Sequence, residues 1–322
     1  MKKPKMSLSL DLDNKWSYLK THGSDAWKDF PSYFDLVVPR ILDFLDDRDL
    51  KITFFIVGQD AELEKNRDAL GKLGAAGHEF GNHSFNHEPW LHLYSEADLD
   101  QELARAEAAI ESATGAKVRG FRGPGFSISE TTLRVLQKRG YDFDATAFPN
   151  VLNPLARAYF FATSNLSDEE KERRKALFGS FSDAFRPVKP YRWNLDGKYL
   201  LELPVTTMPI FKTPIHFSYL IYLASYSRFV ARLYLRFAIA VCKLTRTEPS
   251  LLLHPLDFMG KEDDSDLAFF PAMSMPLGRK LKLMDEFFEL LLRSFEPVTM
   301  GQHVKAIVAE RDLRLYQPTF AH

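Results

Sequence analysis

The chain has a single cysteine, Cys242, among 322 residues, so it can form neither an internal disulfide nor a cysteine cage for a metal. It also lacks an excess of charge of either sign: 42 Lys and Arg stand against 43 Asp and Glu, a formal net charge of -1. No global field draws a polyanion, and nucleic acid is not expected as a partner. Internal repeats and low-complexity tracts are missing, which removes solenoids and long disordered linkers. The N-terminal stretch MKKPKMSLSLDLDNKW reaches acidic residues after a short, serine-broken apolar run, too short for a secretory leader. A cytoplasmic location is the resulting expectation, with Cys242 as a buried thiol. What remains, 45% hydrophobic and 26% charged residues, is ordinary for a folded globular chain.

Short β-rich runs alternate with helix-period segments. Strands are expected over residues 6–12, 51–57, 79–82, 118–122, 141–145, 199–204, 250–254 and 297–300, and helices over 33–48, 67–76, 97–113, 130–139, 218–243 and 280–294. Ser95 with Asp98 reads as a helix start, and Gly115 and Gly140 read as helix stops. Such alternation predicts an α/β fold with a parallel sheet under helices. About seven or eight strands favour a closed or nearly closed barrel, with a doubly wound open sheet second. One domain over residues 1–322 accommodates this pattern. Residues 150–193, with Pro154, Pro187, Pro190 and the charged run SDEEKERRK, are expected to form an insertion over the barrel mouth.

The segment 218–243 is nearly all apolar or aromatic, yet Arg228, Arg232, Arg236 and Lys243 return to one side of a helix. The arginines argue against a membrane span. An interfacial helix on anionic lipid fits the pattern. A barrel helix with its basic side in water, or an oligomer contact, is the more ordinary account.

The first strand ends in LDLDN, which puts Asp11 and Asp13 on one side of an extended chain. One carboxylate can hold a cation while the other accepts a proton; alone, such residues are more often solvated or capping. GNHSFNHEPW supplies His83 and His87 four residues apart, and one helical turn there would aim both imidazoles at one point, with Asp13 as a third ligand for a divalent metal. A structural histidine pair is the plainer alternative, and His78 is read as core. In RGFRGPGFS, the glycines allow close backbone approach and Arg122 could pair with Asp11; a tight Gly-Pro turn with a surface arginine is equally consistent. Asp144 is a further inward-facing candidate or a cap. His254, ending the apolar run SLLLH, could protonate a leaving group or sit satisfied in the core. All seven residues fall at or just past the C-terminal ends of separate strands, where barrel enzymes build their sites.

Taken in order, LDLDN, HSFNH, RGPGF and LLLHP resemble the polysaccharide deacetylases, also called the NodB homology domain or carbohydrate esterase family four, over roughly residues 6–260. The resemblance implies a distorted NodB-like barrel of about seven β/α units. It implies Asp13, His83 and His87 as ligands of a divalent metal, zinc first, with cobalt, nickel or manganese as alternatives. Asp11 would be the general base, Arg122 and Asp144 would set its charge and orientation, and His254 would be the general acid. Pro124, Gly125, Phe126 and Trp90 would meet the substrate. Two departures stand out: Leu12 separates the aspartates, and Phe126 stands where tyrosine is frequent, so oxyanion contact should come from backbone N–H near Gly125.

The implied reaction is hydrolysis of an N-acyl group, N-acetyl first, from an amino sugar. The expected substrate is a nucleotide-linked, lipid-linked or small glycoside precursor in place of a wall polymer; peripheral contact of residues 218–243 with the inner face of the membrane, the less ordinary account of that segment, would favour the lipid-linked form. Trp16, Trp90 and Trp193 could stack on sugar rings or fill core positions. The alternatives are hydrolysis of another linear or cyclic amide, including deformylation of a lipid-linked sugar, and a catalytically silent carbohydrate-binding relative.

Overall fold

Residues 5–12 alternate Met or Leu with Ser or Asp, and in the computed structural model, which describes residues 3–152 and 184–320, they form strand β1 (Lys5–Leu12). Alternation ordinarily marks a sheet with one wet face. Here both faces are closed: Met6, Leu8, Leu10 and Leu12 join the main core, while Ser7, Ser9 and Asp11 are buried on the other side. The polar face is therefore the lining of an interior.

After β1 come α1 (Lys15–His22), α2 (Phe34–Asp46), β2 (Thr53–Ile56), α3 (Gly58–Glu62), α4 (Arg67–Ala75), β3 (Glu79–Asn82), α5 (Glu96–Thr114), β4 (Gly120–Phe121), α6 (Glu130–Arg139) and β5 (Phe143–Asp144). From residue 184 onward follow β6 (Tyr191–Leu195), β7 (Lys198–Glu202), α7 (Phe217–Tyr226), α8 (Arg228–Leu244), β8 (Ser250–Leu253), α9 (Leu277–Leu292), β9 (Glu296–Val298), α10 (Met300–Glu310) and β10 (Leu315–Tyr316). The expected caps are in place: Ser95 Oγ accepts the Asp98 N–H at 3.2 Å, and Gly115 and Gly140 end their helices at φ of 72° and 80°.

The sheet runs β10-β6-β7-β5-β4-β3-β2-β1-β8, with β9 also paired to β1, and every pair is parallel except β6–β7. Past β7, Leu203 N–H donates to Asp144 O at 2.8 Å, Val205 N–H to Ala147 O at 2.9 Å, and Thr206 N–H to Ser250 O at 2.9 Å. This continuation of β7 runs past β5 to β8, so a backbone hydrogen bond, with no strand ladder, links β8 back to the β7 side and leaves β6 and β10 beyond that link. The expected distorted barrel is thus the observed α/β architecture.

Two expectations need correction. The single helix over 218–243 is two helices, α7 and α8, because Ser227 is extended (φ -155°, ψ 110°) and its Oγ accepts the Val230 N–H as an N-cap. The insertion ends before residue 193, because Tyr191–Leu195 is strand β6, paired antiparallel with β7. Asp196 and Gly197, at φ of 55° and 85°, make the two-residue turn between them. The remainder of the expected insertion, residues 153–183 with its charged run, lies outside the described residues.

Candidate active site

Asn14 turns the chain sharply after β1. Its Oδ1 accepts the Lys15 and Tyr33 N–H groups at 2.8 and 3.1 Å, and its Nδ2 donates to Ser32 Oγ at 2.9 Å and Asp60 Oδ1 at 2.7 Å. Asp60 also accepts from Trp16 Nε1 at 2.9 Å. Asp13 is fixed between β1 and this anchor, with the Tyr33 hydroxyl donating to its backbone carbonyl.

His83 and His87 do converge, but not through a helical turn. Residues 83–87 form a loop in which Ser84 (φ 60°) and His87 (φ 53°) are left-handed. Such a loop needs outside support. Gly58 N–H donates to Ser84 O at 2.8 Å and Gln59 N–H to Phe85 O at 2.9 Å. From α5, the buried Glu102 carboxylate accepts the N–H groups of Phe85 and Asn86 and the Asn86 side-chain amide, at 3.0, 2.7 and 2.7 Å.

Asp13 Oδ1 lies 3.4 Å from His83 Nε2 and 3.0 Å from His87 Nε2. His83 Nδ1 is 2.7 Å from the Arg122 carbonyl, an atom that only accepts, so Nδ1 carries the proton and Nε2 presents its lone pair. Asp13 Oδ1 is buried without a hydrogen-bond partner. Ligand atoms of the three residues all lie within 4.8 Å of one another. A carboxylate oxygen and an imidazole lone pair converging with a second imidazole have a cation as their natural common partner, so these residues fit a divalent metal. Burial alone would raise the Asp13 carboxyl, but His87 and His83 hold it well below the usual carboxylate range. Burial likewise opposes the charged form of His83, and Asp11 and Asp13 outweigh it, so its pKa is raised.

The second carboxylate is held apart from this trio. Asp11 Oδ1 accepts from Arg122 Nη1 at 2.6 Å, and both side chains are buried. Arg122 also donates to Ser9 Oγ and the Ala145 carbonyl, each at 3.0 Å, and its guanidinium lies 4.3 Å from the centre of the Phe55 ring. Asp144 is not among these partners. Its Oδ1 accepts the Thr146 hydroxyl at 2.5 Å, and its carboxyl lies against that of Glu202. Burial raises the pKa of both carboxyls, and Asp144 adds to the cost of ionising Glu202.

His254 stands one residue past Leu253, which pairs with Leu10, so it sits level with Asp11 on the neighbouring strand. Its Nδ1 is 3.0 Å from Ser218 Oγ at the start of α7, and its N–H donates to Asp257 Oδ2 at 2.9 Å. Ser218 also faces the Asp257 carboxyl, which burial raises against the pull of His254. Between His254 and the Pro124–Phe126 turn, the rings of Phe126, Phe148, His216 and His254 form a chain with successive centroids 4.6, 5.6 and 6.4 Å apart. Burial and His254 push His216 down to about 3, so it is neutral.

Gly125 is exposed at φ 59°, and a Cβ there would meet Pro89 at 3.0 Å, which places the turn against the loop carrying Trp90. Trp90 is half-buried. Trp16 and Trp193 are each 1% exposed, so neither can stack on a sugar; Trp193 instead donates to Glu202 at 2.9 Å. His216, Ser218, Asp257, Glu102 and Asp60 were not singled out by the sequence. Only Ser218, just inside a helix start, carried even a local signal.

The chain matches the family model described as polysaccharide deacetylase over residues 26–143. That span includes His83, His87 and Arg122 and leaves out Asp11, Asp13 and His254. Among characterised proteins, it is 25% identical over 153 residues to a peptidoglycan deacetylase of Helicobacter pylori, covering 46% of this chain and 51% of the relative. It is 30% identical over 96 residues to a peptidoglycan-N-acetylglucosamine deacetylase of Bacillus cereus, covering 30% and 34%. It is 32% identical over 92 residues to a chitin deacetylase of Colletotrichum lindemuthianum, covering 28% and 37%. The chain thus spans about half or less of the length of these relatives. A Mycobacterium smegmatis structure assigned to the polysaccharide deacetylases superposes with a TM-score of 0.60 at 18% identity, covering 98% of this chain and 94% of that one. At that identity the likeness establishes the fold.

Proposed function

We propose that this chain, which matches the polysaccharide deacetylase family model over residues 26–143, is a member of that family and a metal-dependent hydrolase that removes an N-acyl group, N-acetyl first, from an amino sugar. The observation that carries this reading is the meeting of Asp13, His83 and His87, whose ligand atoms lie within 4.8 Å of one another. Two imidazoles and one carboxylate are the donor set of a hydrolytic zinc site, and cobalt, nickel or manganese accept the same donors. When bound, such a cation polarises the amide carbonyl and makes water acidic enough to attack.

The remaining work falls to the protein's own side chains. Asp11, paired with and aimed by Arg122, accepts the proton of the attacking water. Backbone N–H at the Gly125 turn steadies the negative charge that develops on the carbonyl oxygen. His254, held through Nδ1 by Ser218, protonates the departing nitrogen. Acetate and a free amine leave. Pro124, Phe126 and Trp90 border the substrate's approach.

A lipid-linked or nucleotide-linked precursor on the cytoplasmic side is the substrate this reading favours. The single thiol, Cys242, is buried and free, in keeping with a chain that uses no disulfide. The test is release of acetate and amine from acetylated sugars, nucleotide sugars and polyprenyl-linked sugars by zinc-loaded protein. Turnover is expected with at least one, and Asp11→Asn and His254→Ala should lose it while keeping the metal. Sugar binding without any acetate release would overturn the reading in favour of a silent carbohydrate-binding protein.

A further inference from the structure

Helix α8 carries an apolar stripe on its outer side. Phe229, Leu233 and Phe237 recur every four residues and Leu244 returns to the same side. All four face solvent, Phe229 at 75% and Leu244 at 81% exposure. Helices bury such stripes against a core, but α8 already buries Ala231, Leu235, Ala238, Ile239, Val241 and Cys242 on its inner side. The stripe is a second apolar face. Beside it the 208–213 loop turns through Ile210 at φ 73°, a conformation rare for a β-branched residue, and leaves Ile210 and Phe211 exposed. The Phe211 and Phe237 rings lie 5.7 Å apart, which joins loop and helix into one patch.

A row of cations borders this patch. Arg228, Arg232, Arg236 and Lys243 follow the same periodicity one position to the side, and from residue 203 to residue 247 there are six Lys and Arg and no Asp or Glu. Glu286 on α9 engages Arg228 and Arg232. Arg236, Lys243 and Arg246 have no acidic partner among the described residues. A second copy docked on this face would oppose cation to cation. An anionic surface with an apolar interior matches both stripes, and no helix among the described residues is long and apolar enough to cross a membrane.

We infer that α8 and the 208–213 loop dock this protein onto an anionic lipid bilayer, with α8 lying in the interface plane. The docking face adjoins the candidate site: the Tyr234 hydroxyl on α8 donates to Thr213 Oγ1 at 2.7 Å, the Tyr219 and Tyr234 rings are 6.0 Å apart, and Ser218 on α7 holds His254. A substrate whose sugar is carried on a lipid would reach the mouth from this face. That last clause rests on the proposed hydrolase reading; the docking itself does not.

The experiment is flotation of the metal-loaded protein with vesicles of phosphatidylcholine alone or mixed with phosphatidylglycerol. Wild type should float with the mixed vesicles and dissociate as salt rises. Phe229→Ser/Leu233→Ser/Phe237→Ser should abolish flotation. Arg236→Gln/Lys243→Gln/Arg246→Gln should weaken it about fivefold per charge, roughly a hundredfold together. Turnover of a water-soluble acetylated sugar reads the chemistry separately and should be unchanged in both variants. No flotation of wild type, flotation indifferent to phosphatidylglycerol, or flotation retained by the serine variant would overturn the docking surface. Flotation without turnover of any sugar would remove the hydrolase reading alone.

Discussion

Replacing Arg122 with methionine removes the positive partner of a buried carboxylate while roughly keeping the volume of the side-chain stem. In the wild type the guanidinium donates to Asp11 at 2.6 Å and to Ser9 and the Ala145 carbonyl at 3.0 Å, with no exposed surface of its own. Losing one member of a buried ion pair costs about 3–5 kcal/mol, because the charge left behind is neither solvated nor paired. Set against a typical domain stability of roughly 5–15 kcal/mol, that is a large fraction. Asp11→Asn/Arg122→Met removes both charges, so it should be more stable than Arg122→Met alone by about 2 kcal/mol, even with the Ala145 carbonyl still unpaired. Urea unfolding followed by circular dichroism measures the wild type, Asp11→Asn, Arg122→Met and the double variant. The deficit of the single variant should shrink in acid, where a carboxyl can take up a proton. A double variant as unstable as the sum of its singles, or a deficit indifferent to pH, would refute the claim that Arg122 compensates a buried charge.

Asp60 gives a second stability test, since burial raises its pKa from 3.8 to about 7. A raised carboxyl contributes stability that is fully present below pH 3.8 and is lost as pH rises through about 7, on the order of 4 kcal/mol. Comparing wild type with Asp60→Asn by unfolding at several pH values should show the wild type losing ground as pH rises; a constant difference would contradict this. Ser218→Ala should lower kcat about tenfold with KM nearly unchanged and alter the pH–rate profile, because it frees His254 Nδ1. Ser218→Thr should restore it, and a loss confined to thermal stability would reduce Ser218 to a structural role.

Much of the site was legible because strand periodicity and motif spacing fix where a side chain leaves a barrel. The sequence LDLDN at the end of an alternating run suffices to place Asp11 and Asp13 on the inner face. The way His83 and His87 converge was not legible. It depends on left-handed backbone at Ser84 and His87 supported by Glu102 from a helix about fifteen positions later, a tertiary contact with no local signature. The resemblance put Asp144 beside Arg122 as a second group orienting Asp11, whereas its carboxyl meets Thr146 and Glu202, contacts that no local pattern announces. The β6–β7 hairpin was within reach, since Asp196-Gly197 between strand-like runs is a strong turn signal, and the proline-rich stretch before it obscured that signal. The division of α7 from α8 turns on one serine cap, which uninterrupted hydrophobicity masks.

The central claim is that Asp13, His83 and His87 share one divalent cation, and the most direct measurement is metal content with zinc-binding titration of the purified chain. One tightly held metal per chain is predicted, lost in His83→Ala and in His87→Ala together with amide hydrolysis, and retained in His254→Ala. A chain that binds no metal, or a metal-free double histidine variant that still hydrolyses its substrate at the wild-type rate, would contradict it.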